Sequence, residues 1–237
     1  MHLGKSAELS TNETIRTAPS HFGFRQEVSV LEVVAVIDFE TTGLSPAQGD
    51  RATEIAAVIL ADGQVVDRYQ SLMNAGVRIP AFIEGLTGIS NQMIRSAPPA
   101  AEVMREVFEF VGKTPLIAHN ASFDSKFWDA ELARIELCRP QEFACSLLLS
   151  RRLLPQAPSH KLGALVEFAG LPAAGRAHRA LADAEMAANL MLHLADELRR
   201  RYQVEEISHN LLCKLQRTPK AKLEACLAQH LATCQDS

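Results

Sequence analysis

Two runs, "EIAAVILA" (54–61) and "QVVDRYQSL" (64–72), meet at Asp62-Gly63, a dipeptide that suits the positive φ angles of a tight hairpin turn. The first run would serve as a helix on propensity alone, but the turn and the alternation after it favour two paired strands. An apolar run from Leu31 to Ile37 precedes them, so the domain opens with three strands. The pattern then switches to helical spacing. "PPAAEVMREVFEFVG" places Val103, Val107, Phe110 and Val111 on one face between Pro98-Pro99 and Gly112. "PLIAHN" is a short strand, and "SFDSKFWDAELARIEL" a helix with Phe123, Phe127, Ala130, Leu132 and Ile135 inward. Short helical turns are expected in "RIPAFIEGLTGIS", and further helices at "FACSLLLSRRLL", "KLGALVEFAG" and "ALADAEMAANLMLHLADELRRR". Strands first, then strands alternating with helices, predict an α/β domain around a mixed sheet.

The chain is long enough for one domain with a sizeable core: 237 residues, 47% of them hydrophobic. Residues 1–28 are polar and aperiodic and read as a flexible leader. The compact domain is expected over residues 29–201, followed by a helical tail over 202–237. No apolar segment has signal-peptide or membrane-spanning length, so the expectation is a cytoplasmic protein with no membrane partner. Five cysteines without close-spaced pairs read as reduced thiols. A formal charge of −4 argues against a broad basic surface, so any nucleic acid must be gripped locally.

The first apolar run ends in "DFETTGLS". The tripeptide Asp-x-Glu occurs three times, at Asp38, Asp129 and Asp183. On a strand residues i and i+2 face the same way, whereas on a helix they diverge by about 200°. Only Asp38 and Glu40, at a strand end, can converge on one ligand. Two carboxylates about 4 Å apart repel by roughly 4 kcal/mol at an effective dielectric of 20, and a cation removes that cost. All-oxygen ligation favours hard cations such as Mg²⁺ or Mn²⁺. Asp124 sits in the first turn of its helix, where a carboxylate is also favoured by the helix dipole. Asp183 lies in an Ala-rich helix. His178, five residues earlier, would point elsewhere if both were helical, but swings over the same site if the helix starts after it. Its unperturbed pKa near 6.5 suits a general base.

"DFETTGL", "HNASFD" and "HRALADA", in that order, with "LTGIS" between the first two, resemble the three motifs of the DnaQ-like DEDDh 3′→5′ exonuclease family. The resemblance covers roughly residues 31–198. It implies a ribonuclease H-like exonuclease fold, a mixed central sheet with helices on both faces. It also implies that Asp38, Glu40, Asp124 and Asp183 bind two Mg²⁺ or Mn²⁺ ions, with His178 taking the proton from the attacking water. The implied function is hydrolysis of phosphodiester bonds at single-stranded DNA 3′ ends, releasing nucleoside 5′-monophosphates in proofreading or repair. Thr41, Thr42, Gly43, Leu44, Thr87, Asn120 and Phe127 are the substrate contacts it suggests, although Phe127 also reads as a core residue. RNA 3′ ends are the alternative substrate. A non-enzymatic scaffold binding partners through its tail is the other alternative.

The tail, "VEEISHNLLCKLQ" and "AKLEACLAQHLATC", reads as two amphipathic helices that dock on the domain or on a partner such as a DNA polymerase. His209 with Cys213, and Cys226 with His230, are i,i+4 pairs, a spacing compatible with a Cys₂His₂ zinc site or with simple packing.

Overall fold

A computed structural model describes residues 31–173, 175 and 178–235. The expected leader, residues 1–28, lies outside the described residues. Five strands form one mixed sheet: β1 (Val34–Thr41), β2 (Ala52–Ala61), β3 (Gln64–Leu72), β4 (Leu116–Ala118) and β5 (Phe143–Cys145), in the order β3-β2-β1-β4-β5. β1, β2 and β3 are antiparallel neighbours, while β4 runs parallel to both β1 and β5. The hairpin turns at Asp62-Gly63, both residues having positive φ, as the dipeptide predicts.

The helices are α1 (Ala81–Thr87), α2 (Asn91–Arg95), α3 (Ala100–Val111), α4 (Ala121–Ala133), α5 (Ser146–Leu153), α6 (Leu162–Phe168), α7 (Ala180–Tyr202), α8 (His209–Arg217) and α9 (Leu223–Gln235). Two points differ from the sequence reading. β1 continues past Ile37 through both acids to Thr41, because pairing with β2 holds the backbone extended. "FAC" is not helical: its three buried residues pair with β4, and the helix begins only at Ser146. A three-residue apolar strand fused to a helix has no periodicity of its own.

The two-residue period of β1 divides the core. Val34 and Val36 join β2 and α7 in one apolar cluster, while Ala35, Ile37 and Phe39 join α3 and α4 in the other. On α7 the face toward the sheet carries Ala180, Ala184, Ala187 and Ala188, small side chains that let its backbone press close. The tail belongs to the same core. Leu211, Leu212 and Leu215 of α8 and Leu223 and Leu227 of α9 are buried in the α7-side cluster. No helix of the described residues is long and apolar enough to cross a membrane.

Candidate active site

Continuing the period of β1, Asp38 and Glu40 follow Val34 and Val36 onto the α7 side of the sheet. There they meet Asp183 in the first turn of α7. The helix begins at Ala180 with Arg179 extended, so His178 precedes it and escapes the helical splay. His178 itself adopts φ 61, a left-handed conformation that costs a non-glycine residue about 1–2 kcal/mol and needs enforcement by its surroundings. Its backbone N–H donates to Asp183 Oδ2 at 3.1 Å. Glu40, His178 and Asp183 each offer a ligand atom within 4.8 Å of the others.

Asp124 arrives from the opposite layer. Buried in the first turn of α4, it accepts the Phe39 N–H at Oδ1, 3.2 Å away, which ties it to the strand residue between the two acids. The four carboxyls act on one another electrostatically. Burial pushes the Asp38 carboxyl well above its ordinary pKa, and Asp124, Asp183 and Glu40 push in the same direction. Burial, then Asp183 and Glu54, raise Glu40 to about 8, with Arg179 pulling the other way. Burial also raises Asp124 and Asp183, each partly restrained by backbone N–H donors. Such a set of convergent, mutually repelling oxygen donors with one imidazole fits divalent cations.

The other two Asp-x-Glu pairs diverge as helical geometry requires. Glu131 is buried and forked by Arg51 at 2.7 and 2.8 Å, while Asp129 pairs outward with Arg139. Glu185 pairs with Arg68 of β3, away from Asp183.

The "TTGLS" turn is built around Asp50. Its carboxylate accepts the Ser45 N–H at 2.9 Å and the Thr42 hydroxyl at 3.4 Å. The Thr42 hydroxyl in turn accepts Arg51 N–H, and Thr41 donates to the Gly43 carbonyl. Both threonines are buried. A Cβ on Gly43 would lie 2.4 Å from Asp50 Oδ1, so any larger residue must push that carboxylate aside. Gly43→Ala is expected to displace Asp50, lower stability by about 1–3 kcal/mol, and loosen the turn, read as a drop in melting temperature.

Of the expected contacts, Leu44 (80% exposed) and Asn120 are open to a ligand. Asn120 takes φ 68, which asparagine tolerates, and leads directly into α4. Thr87 is buried, its hydroxyl donating to Ile83 O and accepting Ile89 N–H, both at 3.0 Å; it closes α1 rather than facing outward. Phe127 is fully buried, the core alternative; Phe123, 5.0 Å away between ring centroids, keeps a half-exposed ring.

The four tail residues do not assemble as a zinc site among the described residues. His209 Nε2 bonds the Leu116 carbonyl at 2.9 Å and packs beside Cys213, Cys226 meets Thr218, and His230 meets Cys234. Packing and backbone satisfaction account for the i,i+4 pattern.

Known proteins resemble this chain in sequence and fold. An exonuclease family model, RNase_T, matches residues 35–191. The chain belongs to that exonuclease family. Over 165 residues it is 40% identical to the 3′-5′ exonuclease DinG of Bacillus subtilis, covering 69% of this chain and 18% of that protein. It is 35% identical over 168 residues to the PolC-type DNA polymerase III of Thermotoga maritima, covering 70% and 12%. The chain thus spans less than a fifth of the length of these curated relatives. Among solved structures, exonuclease X in complex with 5′ overhanging duplex DNA is similar with a TM-score of 0.56 and 28% identity over 69% of this chain and 91% of that one. The nuclease domain of 3′hExo, a DEDDh family member bound to rAMP, shares the fold at a TM-score of 0.60 and 22% identity, covering 70% and 92%. The ribonuclease H-like exonuclease fold expected from the motifs is therefore the observed one.

Sequence reasoning missed Glu54, which begins "EIAAVIL". It is fully buried on β2, opposite Glu40 in register. The signal was present: a glutamate heading an otherwise apolar strand needs a partner, and the Arg179 beside His178 supplies it.

Proposed function

We propose that this exonuclease-family chain removes nucleoside 5′-monophosphates from DNA 3′ ends, with Asp38, Glu40, Asp124 and Asp183 holding two Mg²⁺ or Mn²⁺ ions. The observation that carries the reading is the convergence of three sequence-distant motifs on one cluster, with Glu40, His178 and Asp183 within 4.8 Å. Bound divalent cations would offset the acidic charge and polarise the scissile phosphodiester. The chain's own groups do the rest. His178, exposed beside Glu40 and Asp183, takes the proton of the attacking water at a ring nitrogen. The Gly43 backbone and exposed Leu44 seat the terminal nucleotide, and Asn120 with the half-exposed Phe123 flanks it. Thr41 and Thr42 contribute by holding that turn in shape, their hydroxyls being engaged within it.

DNA is favoured because exonuclease X, the structural relative with 28% identity, is seen with duplex DNA, and because of the likeness to a PolC-type DNA polymerase. The test is digestion of 3′-labelled and 5′-labelled single-stranded DNA and RNA with and without Mn²⁺ or Mg²⁺. Label should leave the 3′ end first as mononucleotide, faster from DNA. Degradation from the 5′ end, or activity in chelator, would reject the reading; faster release from RNA would change the substrate assignment.

For His178→Ala, turnover is expected to fall about 10²- to 10⁴-fold while divalent-cation affinity stays near wild type. A collapse of cation affinity in calorimetric titration would instead make His178 a ligand.

A further inference from the structure

Glu54 is a buried acid next to the cluster whose bonding capacity is already filled. Its Oε1 accepts Arg179 Nη2 and Gln70 Nε2, both at 2.7 Å; its Oε2 accepts Arg179 Nε at 3.1 Å and the Ala180 N–H at 3.2 Å. Four donors saturate the two oxygens, so ligating a cation would require breaking this set. The donors also share a location. Arg179 joins His178 to α7, and Ala180 is the first residue of that helix. Glu54 therefore grips the chain by a side chain and a backbone N–H immediately after His178, while Asp183 holds the His178 N–H. Between these two grips His178 is kept at φ 61, a conformation it would not hold unaided.

We propose that Glu54 and Arg179 form a positioning clamp, anchored on β2, that fixes the His178 imidazole over the acidic cluster. The clamp rests on the reading of His178 as proton acceptor, and its members act through His178 rather than as catalytic groups. Arginine is required because its planar fork engages both oxygens of one carboxylate, which a lysine ammonium cannot reproduce. Misplacing a reacting group by about 1 Å can cost about 10²-fold in rate. The clamp should thus act on turnover and not on substrate affinity.

The experiment compares Glu54→Gln, Arg179→Ala, Arg179→Lys and the Glu54→Gln/Arg179→Ala double variant by steady-state kinetics on a 3′-labelled DNA strand, Mn²⁺ titration, and NMR of ¹³C-labelled histidine rings. Turnover should fall about 10²-fold in each of the first two variants, with KM and Mn²⁺ affinity within about threefold of wild type. The double variant should be no slower than the worse single one, since both lesions break one unit. Arg179→Lys should recover only part of the rate. The His178 ring signals should shift and broaden in both single variants while those of buried His209 stay in place.

Turnover within about threefold of wild type in Arg179→Ala, fully additive losses, or a parallel loss of Mn²⁺ affinity would each overturn the clamp. Should Glu54→Gln fail to fold, the half-exposed Arg179 variants carry the test. If the wild-type chain digests no 3′ end, the exonuclease assignment falls by itself; unmoved His178 signals would then be the result that rejects the clamp.

Discussion

Asp38→Asn is expected to lower 3′-end release about 10³-fold or more, and at the same time to make the metal-free protein more heat-stable at pH 8. The two effects share one origin. Asp38 is hemmed in by protein and repelled by Asp124, Asp183, Glu40 and Glu54, so its negative charge is costly in the empty fold. An amide of the same shape removes the repulsion without opening a cavity. It also removes a carboxylate on which Asp124, Asp183 and Glu40 all act. If Asp38 anchors a cation as proposed, its loss forfeits several kcal/mol of transition-state stabilisation, and each 1.4 kcal/mol is about tenfold in rate. The check is paired: turnover of labelled DNA and the melting temperature in chelator. A slow variant that also melts earlier than wild type would mean that Asp38 supports the fold and not the chemistry.

Divalent cations should raise the melting temperature strongly at pH 8 and weakly at pH 5.5. Glu40 has its folded-state pKa raised from 4.5 to about 8, and Asp38, Asp124 and Asp183 are raised as well. Between those limits the folded chain binds more protons than the unfolded one. Stability of the metal-free protein therefore falls as pH rises through about 4.5 to 8, because carboxylates that stay protonated in the fold must ionise there. A cation competes with those protons, so its affinity grows over the same window. At a hundred times the dissociation constant the gain is about 2.7 kcal/mol, which for a chain of this size corresponds to roughly 5–10 °C. Thermal melts with and without Mn²⁺ at the two pH values read it directly. An equal shift at both would place the cation away from these acids.

Much of this site is legible in the sequence because its chemistry sits where secondary structure is locally dictated. Asp38 and Glu40 read as a pair only because the run before them is a strand, and β1 bears that out by carrying both past its apolar stretch. His178 escapes the helical splay because α7 starts two residues later. What failed depends on long-range contacts. The strand at Phe143 to Cys145 exists because β4 lies beside it, a fact no local window contains. Thr87 carries a family-like residue type, but burial decides what it touches and turns it inward, while Phe127 is the core residue it also reads as. The tail histidines and cysteines sit at metal spacing along each helix, yet the way α8 lies against the sheet spends His209 on the carbonyl of Leu116. Glu54 was visible as an oddity, a charge at the head of an apolar strand. Its role needed the distance to a residue 125 positions away.

The segment that leads into β1 meets the one that leads into α8. Leu31 bridges Ile207 in parallel, Glu32 N–H donates to the Ile207 carbonyl, and the Glu32 carboxylate accepts the His209 N–H. That seam and the burial of α8 and α9 in the α7-side core make the tail part of the unit that holds β1, with the acids at the strand's other end.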